Sequence, residues 1–185
     1  MKRETLLISS DLNLIMCIKI ELLPWKIENA KEFARLANNV NVAKNMRDTF
    51  PFPFTEVTAK WLIRDFLESE KGDTTVARSI HVDGKLVGSI AAYKRDDIYS
   101  KSCELGYFLG ESFWGNGIMT RAIAQICELA FERLDVVRIV AEPFADNIGS
   151  RKALEKVGFL LEGVLKKNVY KYGEFYDSCI YALVR

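Results

Sequence analysis

The run Phe113-Trp114-Gly115-Asn116-Gly117-Ile118-Met119-Thr120 sets two glycines between an apolar, strand-like segment and a long amphipathic one. Residues of those types at that spacing suit the binding of an anion. Glycine reaches positive φ without steric cost and has no Cβ to hold a ligand away from the backbone. The first amides of a helix lack intrahelical partners and carry the positive end of its dipole, so a pyrophosphate fits against them. Alone, a Gly-x-Gly turn is equally an ordinary strand-to-helix connection, and its meaning depends on its surroundings.

A second group of residues follows a strand-like stretch at 136–140: Glu142-Pro143-Phe144-Ala145-Asp146-Asn147-Ile148-Gly149-Ser150-Arg151-Lys152-Ala153-Leu154-Glu155-Lys156-Val157-Gly158-Phe159. Asp146 or Asn147 can cap a short helix here, and Gly158 can end it in the left-handed conformation, with Phe159 opening the next strand. Ser150 then lies in the first turn of that helix. Upstream, in Ser102-Cys103-Glu104-Leu105-Gly106-Tyr107, strand alternation puts Glu104 on the face opposite Leu105. Two readings of Glu104 are open: a carboxylate looking into a cleft, or an edge-strand charge facing solvent. The sole histidine, His81, precedes the Asp83-Gly84 turn in mid-strand and reads as a structural or surface residue.

The elements that must position these groups can be read along the chain. Residues 17–23 form a strand closed by Pro24-Trp25. Apolar residues at helical spacing predict a helix over 29–37 and a short one over 40–46. The two prolines of Phe50-Pro51-Phe52-Pro53-Phe54 force an extended loop. Thr55 can cap a helix running to Leu67, with Trp61, Leu62 and Phe66 on one face. Strands at 74–82 and 85–93 flank the Asp83-Gly84 hairpin signal. A polar loop, 94–101, carries Asp96 and Asp97, and leads to a strand at 102–109. A helix over 116–134 crosses to the strand at 136–140, and a final antiparallel pair spans 159–169 and 177–184. The expected fold is a single α/β domain: a mixed sheet of six or seven strands with helices on both faces. Its ligand cleft is expected where the strand ending at Leu109 parts from the strand ending near Val140, since the two connections leave to different sides there.

At 185 residues and 49% hydrophobic composition, the chain suffices for one good-sized domain. A net charge of +1 and no basic tract longer than Lys166-Lys167 argue against nucleic acid as a partner. Cys17, Cys103, Cys127 and Cys179 are widely separated, with no histidine spaced to complete a metal site; the pattern suits a reducing cytoplasm, and no metal is expected. The start, Met1-Lys2-Arg3 with Leu6-Leu7-Ile8, is interrupted by Glu4, Asp11 and Asn13, and no small-x-small cleavage site follows. No apolar run is long enough to cross a bilayer, so no membrane partner is expected. Residues 1–15 read as an N-terminal extension and 16–185 as the domain.

Together the two glycine- and serine-bearing stretches resemble the GNAT N-acetyltransferases. EPFADNIGSRKALEKVGF, followed by Gly173 and Asp177, looks like the branch that acetylates ribosomal-protein N-termini. The resemblance runs from about Cys17 to the C-terminus. It implies acetyl-CoA as co-substrate and transfer to a primary amine, such as a protein N-terminus, by direct attack in a ternary complex. In the family, a loop like this one holds the pyrophosphate, here through amides of Trp114, Gly115, Asn116, Gly117, Ile118 and Met119 and the Thr120 hydroxyl. The preceding strand pairs its main chain with the pantetheine arm, here near Tyr107, Phe108 and Leu109, and one of its amides stabilises the oxyanion. Asn147 would bond the pantetheine amide or the neighbouring strand. Ser150 would protonate the departing thiolate, with Glu104 serving the amine; the alternative for Ser150 is a plain helix-start residue. Arg47, Phe52 and Tyr172, the last with Tyr170 and Tyr176, fall where the resembled enzymes line the acceptor entrance.

This chain departs from the family in several places. Leu154 occupies the position where many members carry a tyrosine acid. Trp114 stands where glutamine or arginine is common, Met119 where a small residue is, and Arg121 where this branch often has an acid. Other acceptors, such as a polyamine, an aminoglycoside or an amino acid, stay open because acceptor choice lies in the loops. A non-catalytic acyl-CoA-binding module is the third reading, and monomer and homodimer are both open.

Overall fold

The computed structural model describes residues 19–185, so the expected extension 1–15 and the expected strand start at Cys17 lie outside the described residues. The chain runs β1 Ile20–Leu23, α1 Ala30–Ala37, α2 Val40–Ala43, α3 Glu56–Lys71, β2 Thr75–Val82, β3 Lys85–Lys94, β4 Ser102–Leu109, α4 Ile118–Arg133, β5 Arg138–Ala141, α5 Ile148–Val157, β6 Leu160–Lys171 and β7 Glu174–Val184. The strands form one seven-stranded sheet in the order β1-β2-β3-β4-β5-β7-β6. Only β4 and β5 are parallel neighbours, as a strand-helix-strand crossover requires.

Helices cover both faces of the sheet, as expected. On one face, α4 turns Ile118, Ala122, Ile123, Ile126, Cys127 and Ala130 inward, a spacing of one helical stripe. They pack against Val76, Ile80, Val87, Ile90, Cys103, Leu105 and Ile139, and Leu154 of α5 joins the same core. On the other face, Phe33 is stacked between Trp25 at 4.6 Å and Phe108 of β4 at 5.7 Å. Phe54 meets Phe33 at 5.2 Å and Phe50 at 4.5 Å, which ties the proline loop to the sheet.

Several element ends differ from those read in the sequence. Helix α3 extends a turn beyond Leu67, and its inward stripe is Ala59, Ile63 and Phe66; Trp61 points outward, 64% exposed. Thr55 does cap it, accepting from the Thr58 amide at 3.2 Å. Strands β6 and β7 are each longer than expected and meet at a tight turn, with Tyr172 and Gly173 both at positive φ.

Candidate active site

The cleft begins where the sheet opens. β4 and β5 pair only at Ser102↔Arg138, Cys103↔Ile139 and Glu104↔Val140. Beyond Ala141 the chain stays with β7: the Cys179 amide donates to the Pro143 carbonyl at 2.9 Å, and the Ala145 amide to the Asp177 carbonyl at 2.8 Å. The rest of β4 is therefore left without a neighbouring strand on that side among the described residues. The Lys101 carbonyl faces β5, accepting from the Val137 amide, whereas the Ser102 carbonyl faces away, accepting from Arg95. Alternation gives the Leu105 amide to the last β5 pairing and turns the peptide groups of Tyr107 and Leu109 toward the opening. Those of Phe108 face β3, and its side chain is buried, so Phe108 presents no peptide group to the cleft.

The glycine turn closes one end of this opening. Gly115 and Gly117 have φ of +77° and +70°, and Gly117 is the residue before α4. Apart from the flanking residues, a Cβ on either glycine would meet no atom of the described residues within 4 Å and would project into open space. The first intrahelical bond reaches only the Arg121 amide, which leaves the amides of Ile118, Met119 and Thr120 without a backbone partner among the described residues. Asn116 holds the turn by donating its carboxamide to the Trp114 carbonyl at 3.1 Å. Glu111 anchors the preceding turn to the start of α2, accepting from Asn39 and Asn41 at 2.8 Å each. One expectation needs correction: the Trp114 amide is taken by the Glu111 carbonyl at 3.1 Å, and its indole N–H by the Leu109 carbonyl at 2.9 Å. Trp114 thus braces the cradle, and the free amides begin at Gly115. Such a turn fits a pyrophosphate, since free donors and positive φ coincide with space a side chain would fill.

Across the opening, α5 presents its first turn. The Asn147 side chain accepts from the Ser150 amide at 3.1 Å, a helix cap that fixes the Ser150 backbone. That bond holds its oxygen at α5, and among the described residues its side chain makes no bond to β4 or β7. Gly158 ends the helix at φ +101°, as read. The Ser150 Oγ lies 2.7 Å from the phenol oxygen of Tyr107. Tyr107 is partly exposed as a residue, but its phenol end sits deeper, and burial pushes its pKa up to about 12 despite the opposing bond to Ser150. Sequence reading used only this residue's main chain. Its side chain lies on the Leu105 face, the face that α4 and α5 cover.

Glu104 lies on the opposite face and forms an ion pair with Arg47 from the loop after α2. Both readings of Glu104 placed it on this face; it lines the cleft and is bound by a cation instead of facing solvent alone. The cleft encloses about 1100 Å³ and takes in the glycine turn, Ser150, Tyr107, Glu104 and Arg47. Its acceptor side is walled by Met46, Phe50, Trp61, Leu62 and Tyr93. Phe52 and Tyr172 do not line it. Phe52 points outward from the proline loop, 49% exposed, because Phe50 and Phe54 take the inward positions. Tyr172 is the tip of the β6–β7 turn. Lys171 beside it is buried, donating to the Met46 carbonyl and pairing with Asp48 at 3.1 Å, so it straps the hairpin to the Arg47 loop. Among the described residues no cluster of histidine, cysteine, aspartate or glutamate could hold a metal, and no helix is long and apolar enough to cross a membrane.

This geometry agrees with the comparisons. Over 102 residues the chain is 34% identical to "Probable N-acetyltransferase YjcK" of Bacillus subtilis (strain 168), covering 55% of this chain and 56% of that protein. It is 30% identical over 105 residues to the "Ribosomal-protein-serine acetyltransferase" of Escherichia coli (strain K12), covering 57% and 58%. The chain thus spans little more than half the length of these curated relatives. Among solved structures, that of the microcin C7 self-immunity acetyltransferase MccE, in complex with acetyl-CoA and AMP, superposes with a TM-score of 0.78 at 28% identity, covering 90% of this chain and 92% of that one. Residues 19–160 match the family model described as an acetyltransferase (GNAT) domain. The chain belongs to the GNAT acetyltransferase family.

Proposed function

We propose that the protein is a cytoplasmic, acetyl-CoA-dependent N-acetyltransferase acting on a primary amine, with a protein N-terminus such as that of a ribosomal protein as acceptor. The observation that carries this reading is a single cleft joining an anion cradle, an open strand edge, a hydroxyl and a carboxylate in that arrangement. Likeness to the Escherichia coli ribosomal-protein-serine acetyltransferase supports the acceptor class. A small-molecule acceptor is the second reading, favoured by the likeness to the MccE structure, which holds AMP together with acetyl-CoA.

When bound, acetyl-CoA supplies a thioester whose carbonyl carbon is open to attack by an amine. The free amides from Gly115 to Thr120 hold its pyrophosphate, and the open peptide group of Tyr107 aligns its arm and offers a donor to the developing oxyanion. Glu104 attracts the acceptor's ammonium in exchange for Arg47 and takes a proton from it through water. Ser150 supplies a proton to the departing thiolate.

The test is mass spectrometry of pooled N-terminal peptides and small amines after incubation with acetyl-CoA, repeated for Glu104→Gln across pH 6 to 9.5. The variant is expected to turn over roughly ten- to a thousandfold more slowly near neutrality and to recover in part at high pH, where the amine is already neutral. A Glu104→Gln rate within about twofold of wild type at every pH removes Glu104 from the chemistry, and absence of any acetylated product refutes the activity.

A further inference from the structure

Ser150 can give up its proton only if that hydrogen faces the cleft, and nothing in its own helix ensures this. A hydroxyl rotor in a first helical turn is free to swing, and serine commonly turns its hydrogen back toward a carbonyl of the preceding turn. The Asn147 cap fixes the Ser150 amide but leaves the side chain untouched. Among the described residues, the one partner of Ser150 Oγ is the Tyr107 phenol, 2.7 Å away, and that phenol has no other partner.

Either oxygen could donate in such a pair. If serine donated, its only hydrogen would point at the tyrosine and away from the cleft, leaving the thiolate without a donor. Phenol is the stronger acid of the two hydroxyls, which favours the opposite sense. We infer that Tyr107 is a positioning residue: its phenol donates to Ser150 Oγ, aims the serine hydrogen into the cleft, and refills that oxygen as the serine proton leaves.

The transfer balances without any further reactant. The Ser150 O–H bond breaks as the S–H bond of the departing thiol forms, and the Tyr107 O–H bond breaks as the Ser150 O–H bond re-forms. The negative charge that began on sulfur ends on the phenol oxygen, and water returns the proton. Serine alone would be left as an alkoxide, a stronger base than the phenolate, so the pair lowers the cost of protonating the thiolate. Burial, which pushes the phenol up to about 12, keeps Tyr107 protonated and ready to donate at neutral pH. The surroundings suit this role: the ring packs against the core beneath α4, and the second element reaching its hydroxyl is α5 through Ser150.

This inference rests on the proposed role of Ser150, and the experiment separates the two. Tyr107→Phe keeps the ring and its packing. It is expected to lower kcat about tenfold with the KM for acetyl-CoA within about twofold, and to have no further effect in a Ser150→Ala background. With an acetyl thioester whose thiol is more acidic than that of CoA, the Tyr107→Phe deficit is expected to shrink, because a better leaving group needs the proton less. In the free protein, the ring-carbon NMR signal next to the Tyr107 hydroxyl, assigned by its loss in Tyr107→Phe, is expected to move on Ser150→Ala, which leaves the tyrosine in place. A slow Ser150→Ala beside a wild-type Tyr107→Phe overturns the inference alone. So do additive effects in the double variant, or a Tyr107 signal indifferent to Ser150→Ala. A Ser150→Ala variant at wild-type rate overturns the role of Ser150 itself, and with it the inference.

Discussion

Gly117→Ala offers a measured separation of backbone strain from ligand binding. Gly117 has φ +70° and a Cβ there meets, apart from its flanking residues, no atom of the described residues within 4 Å, so the change adds no clash among them. The cost to the free protein is that of holding an alanine in the left-handed region, about 1–2 kcal/mol. For a domain of this size that lowers Tm by roughly 2–8 °C. The methyl group, however, enters the space beside the free amides of α4. If it displaces the pyrophosphate, acetyl-CoA affinity falls at least about tenfold, or roughly 1.4 kcal/mol. Gly84 supplies the control: φ +78°, open space around its Cβ, and a place in the β2–β3 turn away from the cleft. Gly84→Ala is expected to melt lower by a similar amount and to bind acetyl-CoA as wild type does. Ligand-induced stabilisation gives a second readout: at a concentration of about 100 wild-type Kd, wild type gains about 2.7 kcal/mol, and a tenfold weaker variant about 1.4. Calorimetry showing wild-type affinity in a folded Gly117→Ala, or an equal loss in Gly84→Ala, refutes the cradle.

Asn147→Ala removes the cap that fixes the Ser150 amide; about 1 kcal/mol of stability is expected to go, seen as a lower urea midpoint, together with a several-fold drop in kcat. Phe52→Ala and Tyr172→Ala, both clear of the cleft, should leave kcat/KM within about twofold of wild type, and a larger loss in steady-state assays would return them to the acceptor wall. Glu70 accepts from both Arg78, whose side chain is 9% exposed, and Arg133; Glu70→Gln should destabilise by about 3 kcal/mol in denaturant titration, because it leaves a buried guanidinium without a counter-charge.

What could be read from the sequence was local. The Gly-x-Gly turn, the Asn147 cap, the Gly158 stop and the Asp83-Gly84 hairpin each depend on residues a few positions apart, and each stands where it was read. What escaped was long-range. Arg47 meets Glu104, and Tyr107 meets Ser150, only because the sheet and α5 bring distant segments together. One signal for Tyr107 was available: alternation puts it on the Leu105 face, the face that the helix after a crossover covers. The expected Trp114 amide failed because a 3-10 turn at Glu111–Phe113 had already claimed it, and such short turns leave little periodicity in a sequence. Trp61 misled by its size. A smaller residue, Ala59, takes the inward position where α3 runs close to its neighbours, and the tryptophan is left at the cleft wall.

The opening in the sheet has a mechanical side. Within the sheet, β4 is joined to β5 by three residue pairs, so the strands β1 to β4 and the strands β5 to β7 meet along one short seam at Ser102, Cys103 and Glu104, with the Lys171 strap tying the two sides again across the cleft. A ladder this short makes a pivot: the free stretch of β4 and the run 142–145 form the two jaws, and Glu104 sits at their vertex. A ligand arm bonded to both jaws would lock the pivot, stiffening the domain and setting the distance between β4 and the start of α5 in one stroke. Amides on either side of the seam would then slow their exchange with deuterated solvent together, although the ligand touches few of them, so the frame would register occupancy as a whole.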